Sequence, residues 1–406
     1  MIRTLFKNMN RKFISILVLT LLSFSSCHVG RFFWWNFADI NDDEKFKNVK
    51  VNSSETKFVF QQNTANTKLN LPKIKLEDKT FDFEQGIEKD KTLAFLILRN
   101  DTLLYEKYFE NYNQNEIHPS FSVAKSFVSA LVGIAIDEGF INSVDDPITK
   151  YLPELIPNKF ENITIKHLLE MRSGIQYNES YFNPFGDVAK YYYGKNLNKY
   201  LLKLKADKEP NKKWEYKSIN TQLLGKIVEN ATKKPLNQYL QQKIWLPLGM
   251  EHDATWSVDS KTNTTVKAFC CLNACARDFA KFGLLYLNNG KWNGKQLISE
   301  QWIKQTSEFD EPLNYFMYKN HFWHNPKMEI ISDSTIYPKM YRKGFDYFNG
   351  EKKDIIVYPT GNYRAEGILG QFIFICSEKN MVIVRLGTNY GKTDWVNLFE
   401  KIAQLN

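Results

Sequence analysis

The chain is poor in the residues that stapled or metal-bound domains are built from. Its 406 residues include five cysteines and six histidines. Cys270, Cys271 and Cys275 lie near one another without zinc-ligand spacing, so bridges and buried free thiols both remain open for them and for Cys376. The histidines are scattered. His321-Phe-Trp-His324 is a close pair, but no nearby acid-histidine set completes a metal site. No Gly-x-Ser-x-Gly sequence occurs, which removes the nucleophile elbow of many Ser-His-Asp hydrolases. There is no dense basic run either. The net charge of +9 is spread over Lys-rich segments, the pattern of a solvated surface and not of a nucleic-acid footprint. Repeats of solenoid period and low-complexity tracts are absent.

What is present is apolar and aromatic. Hydrophobic residues make up 43% and aromatic residues 15%, enough for a sizeable core in one large domain or two intermixed ones. The N-terminus stands apart. Arg3, Lys7, Arg11 and Lys12 precede an apolar run from Phe13 to Phe24, too short to span a bilayer comfortably, and Ser25-Ser26-Cys27 follows. A basic start, an apolar centre and small residues before a cysteine are similar to a bacterial lipoprotein signal, with Cys27 as the lipidated residue. Phe24 departs from the usual leucine, which leaves an uncleaved anchor or a plain secretory signal open. Either way the expectation is export to the periplasm or cell envelope. The aromatic block at residues 31–37 is expected to pack on the body of the protein or to lie at a membrane surface, with packing favoured by the acids that follow it.

One stretch organises the rest. From His118 to Gly139 the sequence reads as a buried helix opening on Ser122-Val-Ala-Lys125, with apolar or small residues on every side from Phe127 to Ile136. Residues three apart share a helix face, so the lysine can reach the hydroxyl. A serine at a helix start lies beside free N–H groups and the positive dipole end, and a lysine in a dry pocket has its pKa lowered and can act as a base. The ordinary alternative is that Ser122 is a helix N-cap. A second Ser-x-x-Lys, at Ser54 to Lys57, has no apolar helix behind it and reads as accidental.

Thr92–Arg99 and Thr102–Phe109 flank Asn100-Asp101 and predict an apolar hairpin. Helical patterns fill the middle: 163–172, 221–229, 236–244 and 276–289. Strand patterns return at 371–376 and 381–387, before an amphipathic helix at 393–405. Strands at both ends with helices between predict an α+β fold, an antiparallel sheet built from the two chain ends with an inserted all-helical domain. The expected boundaries are a signal over 1–27, an extension over 28–75, a catalytic domain over 76–395 with its helical insertion at roughly 125–300, and 396–406 as the end of the C-terminal helix.

Several further landmarks recur in order: Asp145-Asp-Pro147, His167-Leu-Leu-Glu-Met-Arg-Ser-Gly174, Trp214-Glu-Tyr-Lys-Ser-Ile-Asn220, Pro247-Leu-Gly-Met250 and Ala276-Arg-Asp-Phe-Ala-Lys-Phe-Gly283. With Ser122-Val-Ala-Lys125 they make residues 90–390 resemble the serine β-lactamase-related hydrolases of the penicillin-recognising superfamily. The likeness is to the branch of class C β-lactamases, EstB-type esterases and aminohexanoate-oligomer hydrolases. The resemblance implies an acyl-enzyme on Ser122, with Lys125 and Tyr216 as general base and acid and the phenol's pKa lowered by Lys125. Ser218 or Asn220 would then hydrogen-bond Lys125 or the substrate. The family's Lys-Thr-Gly strand corresponds best to Ala365-Glu366-Gly367-Ile368-Leu369-Gly370-Gln371, where the lysine position falls on Ala365. Gly367, Ile368 and Gln371 are thereby implied in substrate and oxyanion binding, and Arg364 as a possible stand-in for the lost lysine.

These readings lead to an exported serine hydrolase acting on an ester, amide or small peptide-like substrate, without metal or cofactor, nucleic acid excluded, and membrane attachment through the N-terminal lipid. The alternatives are a β-lactamase, a D-alanyl-D-alanine carboxypeptidase-type cell-wall enzyme, and a non-catalytic envelope lipoprotein. Arg277-Asp278 is expected to form an ion pair, and Asp187 to shape substrate choice.

Overall fold

In the computed structural model, residues 28–35, 37–61, 71, 73–76, 79–308, 318–330, 342–348 and 351–405 are described. The signal segment and Cys27 lie outside them. The described residues start with helix α1 (His28–Trp35) and strand β1 (Lys47–Val51), continue through β2 (Thr92–Arg99) and β3 (Thr102–Tyr108), and enter helix α2 (Ala124–Asp137). Helix α3 (Ser218–Thr232), strands β4 (Ala254–Val258) and β5 (Leu272–Ala274) and helix α4 (Ala276–Leu287) follow. The C-terminal part holds β6 (Phe322–Ile330), β7 (Glu351–Gly367), β8 (Gln371–Cys376), β9 (Met381–Gly387) and helix α5 (Trp395–Gln404).

The α+β expectation holds. Both chain ends contribute to one antiparallel sheet in which β6, β7, β8, β9, β2 and β3 are consecutive neighbours. The hairpin between β2 and β3 turns on Asn100 and Asp101, both at positive φ (50° and 61°), the backbone that a tight two-residue hairpin demands and that Asn and Asp tolerate. Alternate residues of the central strands face two cores. Leu96, Ile373, Ile375 and Val384 join the larger core of α2, α3 and α4. Phe95, Phe372, Phe374 and Ile383 join a smaller one under α5 and the helix Phe83–Lys89. This period-two division explains why β2, β8 and β9 read as continuous apolar runs: both faces are covered.

The extension is part of this body. Phe32, Phe46, Val51 and Phe60 lie in the larger core, and β1 pairs with β4.

Helix α2 is buried from Ala124 to Ala135. Phe127 stacks on Phe282 of α4 at 3.7 Å between centroids, a contact worth about 0.5–1.5 kcal/mol beyond its area. A Cβ on Gly133 would stand 2.5 Å from the Trp302 ring, so this helical glycine is where the tryptophan packs. Packed on every side, α2 is a rigid base for whatever its N-terminus presents.

Candidate active site

Ser122 does not sit in the α-helix as expected. It lies in a single 3-10 turn, Phe121–Val123, and α2 begins at Ala124. Phe121, a buried aromatic, holds φ at +46°, a conformation costing about 1–3 kcal/mol that persists only where its surroundings impose it. The strained residue directly precedes the hydroxyl. Across the junction, Lys125 Nζ donates to Ser122 Oγ at 3.0 Å and to the Phe269 carbonyl at 2.7 Å. Burial pushes the Lys125 pKa down to about 8, against a raising influence from the Glu179 carboxylate.

Tyr216 closes the group. Lys125 Nζ is 5.2 Å from the centre of its ring, and the Ser122 hydroxyl is near enough to act on the phenol's pKa. Its pKa runs opposite to expectation. Burial raises it, the neighbouring Ser122 hydroxyl opposes the rise, and Lys125 is not among the causes. The phenol is therefore neutral around pH 7. Trp323 stacks on Tyr216 with centroids 5.7 Å apart, and Tyr318 meets it edge-on at 5.9 Å. Trp214 packs against both Tyr216 and Trp323, so the phenol projects from an aromatic wall.

The end of β7 abuts the serine. A Cβ on Gly367 would stand 2.4 Å from the Ser120 carbonyl oxygen and 3.1 Å from the Ser122 nitrogen, so only glycine admits this approach. Ile368 begins the turn that follows, which is held rigidly. Gln371 Nε2 donates to the carbonyls of Ile368 and Gly387, and its Oε1 accepts from Gly387 N–H. Arg385 donates to the Leu369 and Gly370 carbonyls and lies over the Trp395 ring at 3.9 Å. Gln371, expected to meet substrate, is thus a strut with both ends of its amide engaged.

Three other residues are engaged away from Lys125 or from the place of the family's lysine. Ser218 N–H and Oγ both donate to Glu179, at 2.8 and 2.6 Å, in place of a bond to Lys125. Asn220 is fully buried between Ser173, whose hydroxyl it accepts at 2.7 Å, and Met171. Arg364 does not replace the missing lysine. It alternates with Ala365 on β7, lies across from Trp323, and its guanidinium is taken up by Glu366 at 2.9 Å and Asn325 at 2.6 Å.

Elsewhere, Arg277 bonds Glu106 and Glu251 while Asp278 pairs with Lys281, so the two neighbours do not bind each other. Asp187 is engaged by Asn178 N–H and Lys190. His321 and His324 diverge, the first to Thr221 and Tyr318, the second to the Thr306 carbonyl.

Two contributors had no sequence signal that was read. Glu179 is the carboxylate whose field reaches Lys125 and Tyr216, and Tyr181 also donates to it, at 2.9 Å. The other is a disulfide between the adjacent residues Cys270 and Cys271, both buried, which directly follows the carbonyl that holds Lys125. Cys275 and Cys376 are free and buried.

The profile of the beta-lactamase family matches residues 83–405. The chain belongs to that family. Membership makes it a serine hydrolase of the beta-lactamase fold, with the substrate left open. The 6-aminohexanoate-dimer hydrolase of Paenarthrobacter ureafaciens is 30% identical over 234 residues, and the match spans 55% of this chain and 59% of that protein. In structure, a candidate 6-aminohexanoate-dimer hydrolase from Bacillus anthracis superposes with a TM-score of 0.74 at 23% identity, covering 93% of this chain and 96% of that one. A family VIII carboxylesterase reaches a TM-score of 0.55 at 15% identity, covering 77% and 92%. These structural likenesses establish the fold.

Proposed function

We propose that the chain is an acyl-enzyme hydrolase of esters or amides with Ser122 as nucleophile, exported and tethered to the cell envelope through Cys27. The observation that carries the catalytic reading is the 3.0 Å contact between Ser122 Oγ and a buried lysine whose pKa lies near 8. An appreciable fraction of Lys125 is then a free amine at neutral pH, and the amine can take the serine proton as Oγ attacks the carbonyl carbon. The backbone N–H groups of Ser122 and Ile368 receive the oxyanion, beside the one residue without a side chain, Gly367. Tyr216, a neutral phenol at working pH, gives its proton to the departing alkoxide or amine and recovers one from the Lys125 ammonium. Acyl-serine, neutral lysine and neutral phenol remain. Water then repeats the sequence in reverse, losing its proton toward Lys125 while Ser122 regains one.

The charges around the site bear on the acyl donor. Ala365 stands where the family carries a cation, Arg364 is spent on Glu366 and Asn325, and Glu179 lends negative potential. This favours neutral or amine-bearing substrates over carboxylate-bearing β-lactams.

The test is chemical labelling. A fluorophosphonate probe should modify Ser122 in the folded protein, and Ser122→Ala should abolish both the adduct and turnover of p-nitrophenyl butyrate with little change in Tm. A folded protein that takes no label would remove the hydrolytic reading. Nitrocefin cleaved faster than the butyrate would overturn the substrate assignment alone.

A further inference from the structure

Helix α1 divides its aromatic residues between two surroundings. Arg31 and Phe32 face inward: Arg31 Nε donates to the Tyr193 carbonyl at 2.6 Å, and Phe32 meets the Tyr193 ring edge-on at 5.5 Å. Phe33 and Trp34 face out, with 68% and 84% of their surface exposed. Beyond the helix, Phe37 lies edge-on to Phe182 at 5.4 Å, and Phe182 and Phe185 are 77% and 69% exposed. Among the described residues, the four most exposed large apolar side chains therefore come from two segments that touch. Singly exposed apolar residues need no explanation, but a gathered set of aromatics does.

The geometry points to a lipid-facing surface made of α1 and the 181–185 loop, on which the enzyme lies against the membrane. The first argument is the place of α1 in the sequence. Its first residue, His28, comes directly after Cys27 and shortly after the apolar run of residues 13–24. On the anchoring reading, with that run retained or replaced by lipid on Cys27, His28 is held at the bilayer. Eight helical residues rise only about 12 Å, so Phe33 and Trp34 stay within reach of the headgroup layer. The second argument is chemical. Trp and Phe presented on a rigid frame are the side chains that partition into that layer. The third is continuity with the site. Tyr181 belongs to the same loop and donates to Glu179, which anchors Ser218 and acts on Lys125. A membrane contact at this loop sets the Glu179 side of the site close to the bilayer, which suits acyl donors that reside there.

This inference rests on the anchoring reading, and the experiment separates the two. The full chain is reconstituted in vesicles of phosphatidylethanolamine and phosphatidylglycerol, exposed to a membrane-soluble aryl diazirine, photolysed and mapped by mass spectrometry. Anchoring is scored independently by partition into Triton X-114. Label is expected on peptides carrying residues 28–37 and 181–185 at several times the level on those carrying Phe140 and Tyr390, which are 43% and 40% exposed elsewhere. In Phe182→Ser/Phe185→Ser the loop label should fall to that background. Label on the first segment alone, or on neither, in a chain that enters detergent overturns the surface and leaves the anchor standing. A chain that stays aqueous and unlabelled sinks both. One that stays aqueous but takes label on both segments when vesicles are added supports the surface and removes the anchor.

Discussion

Lys125 donates a 2.7 Å hydrogen bond to the backbone carbonyl of Phe269, a residue 144 positions away. The carbonyl orients the amine toward Ser122 without neutralising it, so burial remains the dominant influence and the lysine titrates near 8. A base must be unprotonated, so kcat/KM for p-nitrophenyl acetate should rise with pH along a single limb centred near pH 8. Lys125→Arg keeps the charge and cannot lose its proton at these pH values. It should lower kcat/KM by about 10²–10⁴-fold, the usual contribution of a general base. A limb near pH 6 would point to another base.

Because burial raises the Tyr216 pKa, its phenolate is scarce at any working pH, and the phenol serves as a donor. Tyr216→Phe preserves the stack on Trp323 and removes only the hydroxyl. The expected result is a kcat lower by about 10²–10⁴-fold with the limb still near 8. Loss of the limb would transfer the role of base to the tyrosine.

Periodicity and ordered landmarks were enough to read the sheet, α2 and the convergence of Ser122, Lys125 and Tyr216. Short-range signals survive folding: Asn100-Asp101 makes its turn, and strands 371–376 and 381–387 stand as read. What was not legible is which of several eligible partners a polar side chain chooses. Asn220 and Gln371 sit near the right elements, yet both are consumed in bracing the backbone. Ser218 is diverted by Glu179, which lies 39 residues upstream. Such choices depend on side-chain direction after packing, and spacing carries no record of that. Neighbouring cysteines likewise left both bonded and free states open.

The Cys270–Cys271 bond ties the turn that presents the Phe269 carbonyl, while Trp256 Nε1 donates to the Cys270 carbonyl at 2.8 Å. Freeing the two residues loosens the acceptor that orients Lys125. Cys270→Ala/Cys271→Ala should lower kcat/KM by roughly 10-fold with KM little changed, a part of the general-base contribution. Intact-protein mass before and after reduction should differ by two hydrogens at this pair. An unchanged rate in the double variant would reduce the bond to a structural tie.

Gly367 is the tightest point of the site. A methyl group there meets backbone at 2.4 Å, and neither Ser120 nor β7 has slack to yield, since Gln371 and Arg385 hold the following turn. Gly367→Ala should separate the Ser122 and Ile368 N–H groups and lower kcat by about 10²–10³-fold, as loss of an oxyanion donor does. Differential scanning calorimetry should show a lower Tm as well. Full activity in the alanine variant would place the oxyanion donors elsewhere.

Glu179 supplies the remaining handle, because its charge and its hydrogen bonds can be separated. Glu179→Gln keeps an acceptor oxygen for the Ser218 and Tyr181 hydroxyls, gives up the Oε2 acceptor of Ser218 N–H, and removes the negative field that raises the Lys125 pKa. With that field gone the ammonium loses support, its pKa falls, and the limb of the pH–rate profile should move to lower pH, making the variant faster than the parent on neutral esters below pH 7. The same change should shift selectivity: kcat/KM should fall for an amine-bearing acyl donor relative to a carboxylate-bearing one of equal length, through KM rather than kcat. The two readouts discriminate. A merely structural role for Glu179 would lower all rates together and leave the limb where it was, whereas a limb displaced to higher pH would mean that the carboxylate does not act on Lys125 as the geometry implies.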